Sequence, residues 1–193
     1  YFNSIFFKYY TNNKKKKIEY GFLIVLFLLL SGAYLFLKWN EQTKIQLLLS
    51  VLMLLFGYLA AISDAKTQRI PNKLVLIMLA CWMIVVIPQL IIAPDNAYNL
   101  VMTGLTGFVA GGGITMFAYL ASRKGLGGGD VKFCAAAGCY IGATAVLSGI
   151  LFGSILALLV NAVLMIARKR KKTDRFAFVP YINAGIVMLL FLS

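Results

Sequence analysis

The sequence predicts an all-α, polytopic transmembrane bundle of about seven spans with a cytoplasmic N-terminus. Three observations lead there. Of 193 residues, 61% are hydrophobic and the mean hydropathy is +0.86, more apolar material than a soluble domain of this length needs for its core. Seven stretches approach the roughly 20 apolar residues that carry a helix across hydrocarbon. No stretch alternates apolar and polar residues at period two, which excludes a membrane barrel.

In chain order, residues 1 to 44 read as a basic N-terminal arm and an accessory helix over 20 to 37. That span follows Lys14 to Lys17 as a signal peptide would, but it is long and has no small-x-small cleavage site before Lys38, so a retained anchor is expected. Residues 45 to 193 form the core, with spans at 45 to 63, 74 to 93 and 100 to 120. The block 131 to 167 is too long for one helix and reads as two, 131 to 147 and 149 to 167, joined by a tight turn near Gly142 to Gly149. The last span is 176 to 192. Glycines concentrated in the fourth span and beyond suit close helix packing.

Seventeen of the 19 Lys and Arg residues fall on alternate loops, which places the N-terminus and those loops in the cytoplasm and the C-terminus outside. The net charge of +13 is thereby accounted for by topology, with contact to anionic membrane lipid secondary. No aromatic and basic platform accompanies the charge, so nucleic acid is not an expected partner. The sequence has no histidine, and Cys81, Cys134 and Cys139 form no CxxC pair. Ser-His and Cys-His catalysis, a thiolate zinc site and structural disulfides are therefore not expected, nor is any metal or cofactor.

Acidic residues are scarce: Glu19, Glu41, Asp64, Asp95, Asp130 and Asp174. Asp64 closes the apolar run LFGYLAAISD, and Asp130 closes GLGGGD before another apolar segment; both fall on the predicted cytoplasmic side. Asp64 is at the disfavoured, negative end of its helix dipole. The ordinary reading makes it an interfacial residue paired with Lys66 or Arg69. For Asp130 the ordinary reading is a helix N-cap. Gly127, Gly128 and Gly129 before it permit unusual backbone angles and leave room for another chain beside the carboxylate. In the segment AKTQRIPN, Pro71 and Asn72 stop one helix and start the next, and Lys132 reads as a loop anchor. Asn161 and Asn183 are expected to hydrogen-bond between helices. If the two aspartates converge, like charges at close range cannot both ionise cheaply and the pair shares one proton near neutral pH. One member then takes a proton from water while the other donates to a scissile carbonyl, which is peptide hydrolysis without metal or covalent intermediate.

These residues resemble a known family, the type IV prepilin peptidases, membrane aspartic proteases of the GxGD class. ISDAKTQRIPNKL is similar to their first active-site segment, and GLGGGDVKFCAAAG to their second, with Gly127, Gly128, Gly129 and Asp130 filling GxGD. FVPYINAG resembles the start of their final helix, although Ile182 and Asn183 replace the usual glycine after Pro-Tyr. The likeness spans roughly residues 45 to 190. It implies that Asp64 and Asp130 are the catalytic pair of an endopeptidase in the plasma membrane, cutting basic leaders from type IV pilin-like precursors at the cytoplasmic face. The family's bifunctional members add a methyltransferase domain with paired CxxC motifs; its absence here leads us to expect peptidase activity alone. The alternatives are a presenilin-like intramembrane protease, which shares GxGD, and an ion-coupled transporter using the two carboxylates.

Overall fold

A computed structural model describes residues 27–39, 43–122, 126–166 and 177–192. The lysine run at 14 to 17, the basic cluster at 168 to 172 and the first part of the expected initial span lie outside the described residues. Six helices follow in order: α1 (Phe27–Lys38), α2 (Lys44–Thr67), α3 (Asn72–Ile92), α4 (Pro94–Ala121), α5 (Gly128–Ile166) and α6 (Val179–Leu192). Among the described residues there is no strand. Helices α2 to α5 are each long and apolar enough to cross a membrane, while α1 and α6 are apolar but shorter. The exterior is apolar as well: Phe36 and Ile91 are both 85% exposed. A bundle with such an outer surface satisfies its backbone internally and presents hydrocarbon to hydrocarbon.

The helix ends follow from local chemistry. Thr43 caps α2 through a capping box, its hydroxyl accepting from the Gln46 N–H while the Gln46 side chain accepts from the Thr43 N–H. Pro71, extended at φ −62° and ψ 130°, sits directly before α3, and Pro94 opens α4, where its missing N–H leaves no bond unmade.

The division of the long apolar block differs from the expected one. Helical geometry is broken at Gly142, at φ 79° and ψ 174°, and α5 is helical through residue 148. That conformation belongs to glycine almost alone. The chain turns back there, as contacts along α4 show. A Cβ added at Gly107 would meet Gly138 and Gly142, and one at Gly111 would meet Cys134 and Val146. In a straight helix Cys134 and Val146 would be about 18 Å apart, so one glycine could not touch both. Moving from Gly107 to Gly111, contacts descend along the arm of α5 before Gly142 and climb along the arm after it. The first arm therefore packs antiparallel to α4, and Gly107 and Gly138 let the two backbones approach closely. The second arm packs antiparallel to α6, with Gly149 against Ile186 and Gly153 against Ile182.

The core inside this frame includes Leu49, Met53, Met78, Phe133, Ile182 and Ile186, all nearly or fully buried. Tyr140 enters it with its hydroxyl donating to the Met78 carbonyl, joining α5 to α3. Asn161, expected to bond between helices, donates to Ala157 O at 2.7 Å within its own helix.

Candidate active site

The segment around Asp64 folds on itself. Helix α2 runs three residues beyond Asp64 and ends at Thr67, after which Gln68 adopts a left-handed conformation at φ 51° and returns its N–H to the Asp64 carbonyl at 2.8 Å. The Ser63 and Thr67 hydroxyls both reach the Arg69 carbonyl, at 3.1 and 3.0 Å. Side chains of the helix end thus fix the following turn, which presents Ile70, Pro71 and Asn72 as a rigid unit.

The segment around Asp130 begins a helix. α5 starts at Gly128, so Asp130 lies in its first turn and is not the N-cap residue; its Oδ2 accepts from the Gly127 N–H at 3.1 Å, and its own N–H donates to the Gly127 carbonyl. This is half of a capping box, and the carboxylate also meets the positive end of the helix dipole. The sequence reading that the three glycines serve unusual backbone angles is not met, since none of them has a positive φ. Among the described residues Gly142 is the glycine with positive φ. Space is what Gly129 provides: a Cβ there would stand 3.3 Å from Ile70 Cβ, whereas Gly128 has nothing within 4 Å.

These two segments meet at one end of the bundle. Ile70 is buried against Gly129, and Lys132 Nζ donates to Asn72 Oδ1 at 3.0 Å across 60 residues of sequence. Asp64 and Asp130 are both buried, at 5% and 8% exposure, and close enough that the charge of one acts on the other. A third segment completes the arrangement. The Val179 N–H, at the start of α6, donates to Asp64 Oδ2 at 3.0 Å, so that a carboxylate at the unfavourable end of its own helix is met by the favourable end of another. That partner replaces the basic residues expected from the sequence as the group shown bonded to Asp64. Sequence reasoning noted FVPYINAG only as a helix start; its proline was the available signal, since a helix that begins there frees N–H groups beside whatever faces it.

Farther along α6, Asn183 lies against Gly57 of α2, where a Cβ would overlap its Oδ1; that oxygen has no hydrogen-bond partner among the described residues. The contact sets the height of α6 on α2, and hence of Val179 against Asp64. Among the described residues no three His, Cys, Asp or Glu side chains come together as metal ligands would.

A family model, that of the type IV leader peptidase family, matches residues 50–162, from the second turn of α2 to near the end of α5. The chain belongs to the type IV leader peptidase family. The matched stretch holds both aspartates and every motif residue from Ser63 to Lys132, while α6 lies beyond it. Membership makes this a leader-peptidase-like protease, and with its apolar helices a multi-pass membrane protein. Comparisons with curated proteins and with solved structures gave no match.

Proposed function

We propose that the protein is a GxGD aspartic endopeptidase that removes basic leaders from type IV pilin-like precursors at the cytoplasmic face of the plasma membrane, with Asp64 and Asp130 as its catalytic pair. One observation carries this reading: in a chain of the leader peptidase family, two scarce carboxylates from segments 66 residues apart are buried together at one end of an otherwise apolar bundle.

In this mechanism the pair holds one proton. The ionised carboxylate takes a proton from a water molecule as its oxygen attacks the scissile carbonyl carbon, and the protonated carboxyl delivers its proton to the carbonyl oxygen. The tetrahedral diol collapses when the C–N bond breaks, a proton passing to the departing amine and the pair returning to its single-proton state. The Val179 and Gly127 N–H groups hold the two carboxylates in place through this cycle. The loop charges support the cytoplasmic assignment, since 17 of 19 Lys and Arg fall in the alternate sequence segments that also hold both aspartates.

The test is leader processing by the purified protein in detergent, using a precursor with a basic leader ahead of an apolar helix. Asp64→Ala and Asp130→Ala are each expected to abolish cleavage with the fold retained. Cleavage near the wild-type rate by either variant removes that residue from the active site.

A further inference from the structure

Beside the aspartates, on the outer face of the bundle, α3, α4 and the first arm of α5 leave an apolar groove of about 750 Å³. Leu76 and Leu79 form one wall, Val109 and Met116 the other, with Gly112 and Gly113 between the latter. Val131 and Lys132, the two residues after Asp130, line its end, and the Lys132 to Asn72 hydrogen bond lies at that mouth. Leu76 is 65% and Val109 68% exposed, so the groove opens sideways to the bilayer.

Among the described residues nothing packs against Gly113. It lies in the interior of α4, its φ is not positive, and a Cβ placed on it would meet nothing within 4 Å. Glycine at such a position destabilises a helix by about 1 kcal/mol relative to alanine. Gly107 and Gly111, by contrast, are required by the backbone of α5. A helix interior left bare at the floor of an open apolar groove suits the close approach of another helix backbone.

We propose that this groove seats the substrate's own membrane helix, the apolar segment that follows the scissile bond. The proposal rests on the peptidase reading above. A chain cut at the aspartates just before an apolar helix must carry that helix away along the protein surface, and this groove starts two residues from Asp130. From Asn72 to Leu79 it runs along about 10 Å of α3, two turns of a docked helix. A second cavity, about 490 Å³, has a mixed lining in which Thr43, Gln46, Asn96 and Thr103 stand beside Ile45, Leu49 and Leu100, and lies at the opposite end of the bundle.

The experiment places a photoreactive benzoylphenylalanine at the fourth residue after the scissile bond of a leader-bearing precursor and maps adducts on the wild-type protein by mass spectrometry. Adducts on Leu76, Val109 or Met116 are expected. Gly113→Leu, whose Cβ meets none of the described residues within 4 Å and whose branched end occupies the groove, is expected to raise KM about tenfold with kcat nearly unchanged. Adducts confined to surfaces such as that around Leu158, or an unaltered KM, overturn the proposal while normal cleavage leaves the peptidase reading standing. Adducts in the groove from a phospholipid with a photoreactive acyl chain but none from the precursor also overturn it, making the groove a lipid seat. If the wild-type protein leaves the precursor uncut, the peptidase reading falls and the groove proposal with it.

Discussion

The main-chain N–H of Val179 donates to Asp64 Oδ2 at 3.0 Å, joining positions 115 residues apart. Because the donor is a backbone group in the first turn of a helix, it has no partner within that helix to lose. Proline is tolerated at such a position and has no N–H. Val179→Pro therefore deletes this hydrogen bond, and it also replaces a side chain that is fully buried in the core. A hydrogen bond to a charged group contributes about 1.5–3 kcal/mol, so cleavage is expected to slow by about 10- to 100-fold, beyond any loss in Val179→Ala, which keeps the N–H and reads the packing effect alone. Steady-state rates on a leader-bearing precursor, beside thermal unfolding of the same sample, check it; full activity would show that Asp64 does not depend on α6.

The glycines before Asp130 should separate by position. Gly128→Ala adds a methyl group into open space and should stay within about 0.5 kcal/mol of wild type. Gly129→Ala presses that methyl group to 3.3 Å from Ile70, on the contact that holds the Asp64 turn against α5. Activity should fall in the second variant and hold in the first, and a processing assay on the pair reads the difference. The opposite order would mean that the glycines serve the substrate and not the meeting of the two segments.

How far the site could be read from the chain depends on what kind of contact makes it. Asp64, Asp130, Pro71, Asn72 and Lys132 stand out because polar and turn-forming residues are rare in so apolar a sequence, and the structure brings these segments to one end of the bundle. The Val179 contact was hidden because a main-chain donor carries no side-chain signature. The end of α2 lies four residues beyond the expected 63 because the Ser63 and Thr67 hydroxyls fold the turn that polarity alone assigns to a loop. The reversal within α5 was expected but spread over eight residues, since several glycines there look alike and only Gly142 adopts the positive φ that fixes it. The role of the other glycines, spacing and not backbone freedom, follows from packing across α4, α5 and α6, which a single sequence does not display.

Asp130→Asn separates a structural carboxylate from a chemical one. Asparagine keeps the size and an oxygen that can still accept from the Gly127 N–H, so the start of α5 should survive. It cannot exchange the proton that hydrolysis requires. Cleavage is expected to fall nearly as far as in Asp130→Ala, while Asp130→Ala alone also loses about 1 kcal/mol of stability from the missing cap. Parallel rates and unfolding curves for the two variants decide it; an active Asp130→Asn reduces the residue to a cap.

At Gly142, a side chain would meet two obstacles. The backbone sits at φ 79° and ψ 174°, and an added Cβ would lie 2.8 Å from Thr103 Cγ2. Gly142→Ala should cost at least about 1–3 kcal/mol from the backbone term alone, seen as a lower unfolding temperature in detergent. The comparison is Gly113→Ala, whose methyl group meets nothing among the described residues and which should be as stable as wild type or more so.

The proposed chemistry requires both carboxylates to face the compartment that holds the leader. Gln68 and Ser122 are exposed at the end of the bundle with the aspartates, and Asn96 is exposed at the other end, where it lines the second cavity. If the loop charges set the orientation, the first two are cytoplasmic and Asn96 is outside. Single cysteines at these three positions, with the three native cysteines replaced, can be probed by a membrane-impermeant thiol reagent in intact cells. Labelling at Asn96→Cys alone is expected, and permeabilisation should then expose Gln68→Cys and Ser122→Cys together. Labelling of the last two in intact cells, with Asn96→Cys protected, would put the aspartates outside, where a leader that has never crossed the membrane cannot reach them. The cytoplasmic reading would then fall even if both carboxylates prove essential for cleavage in detergent.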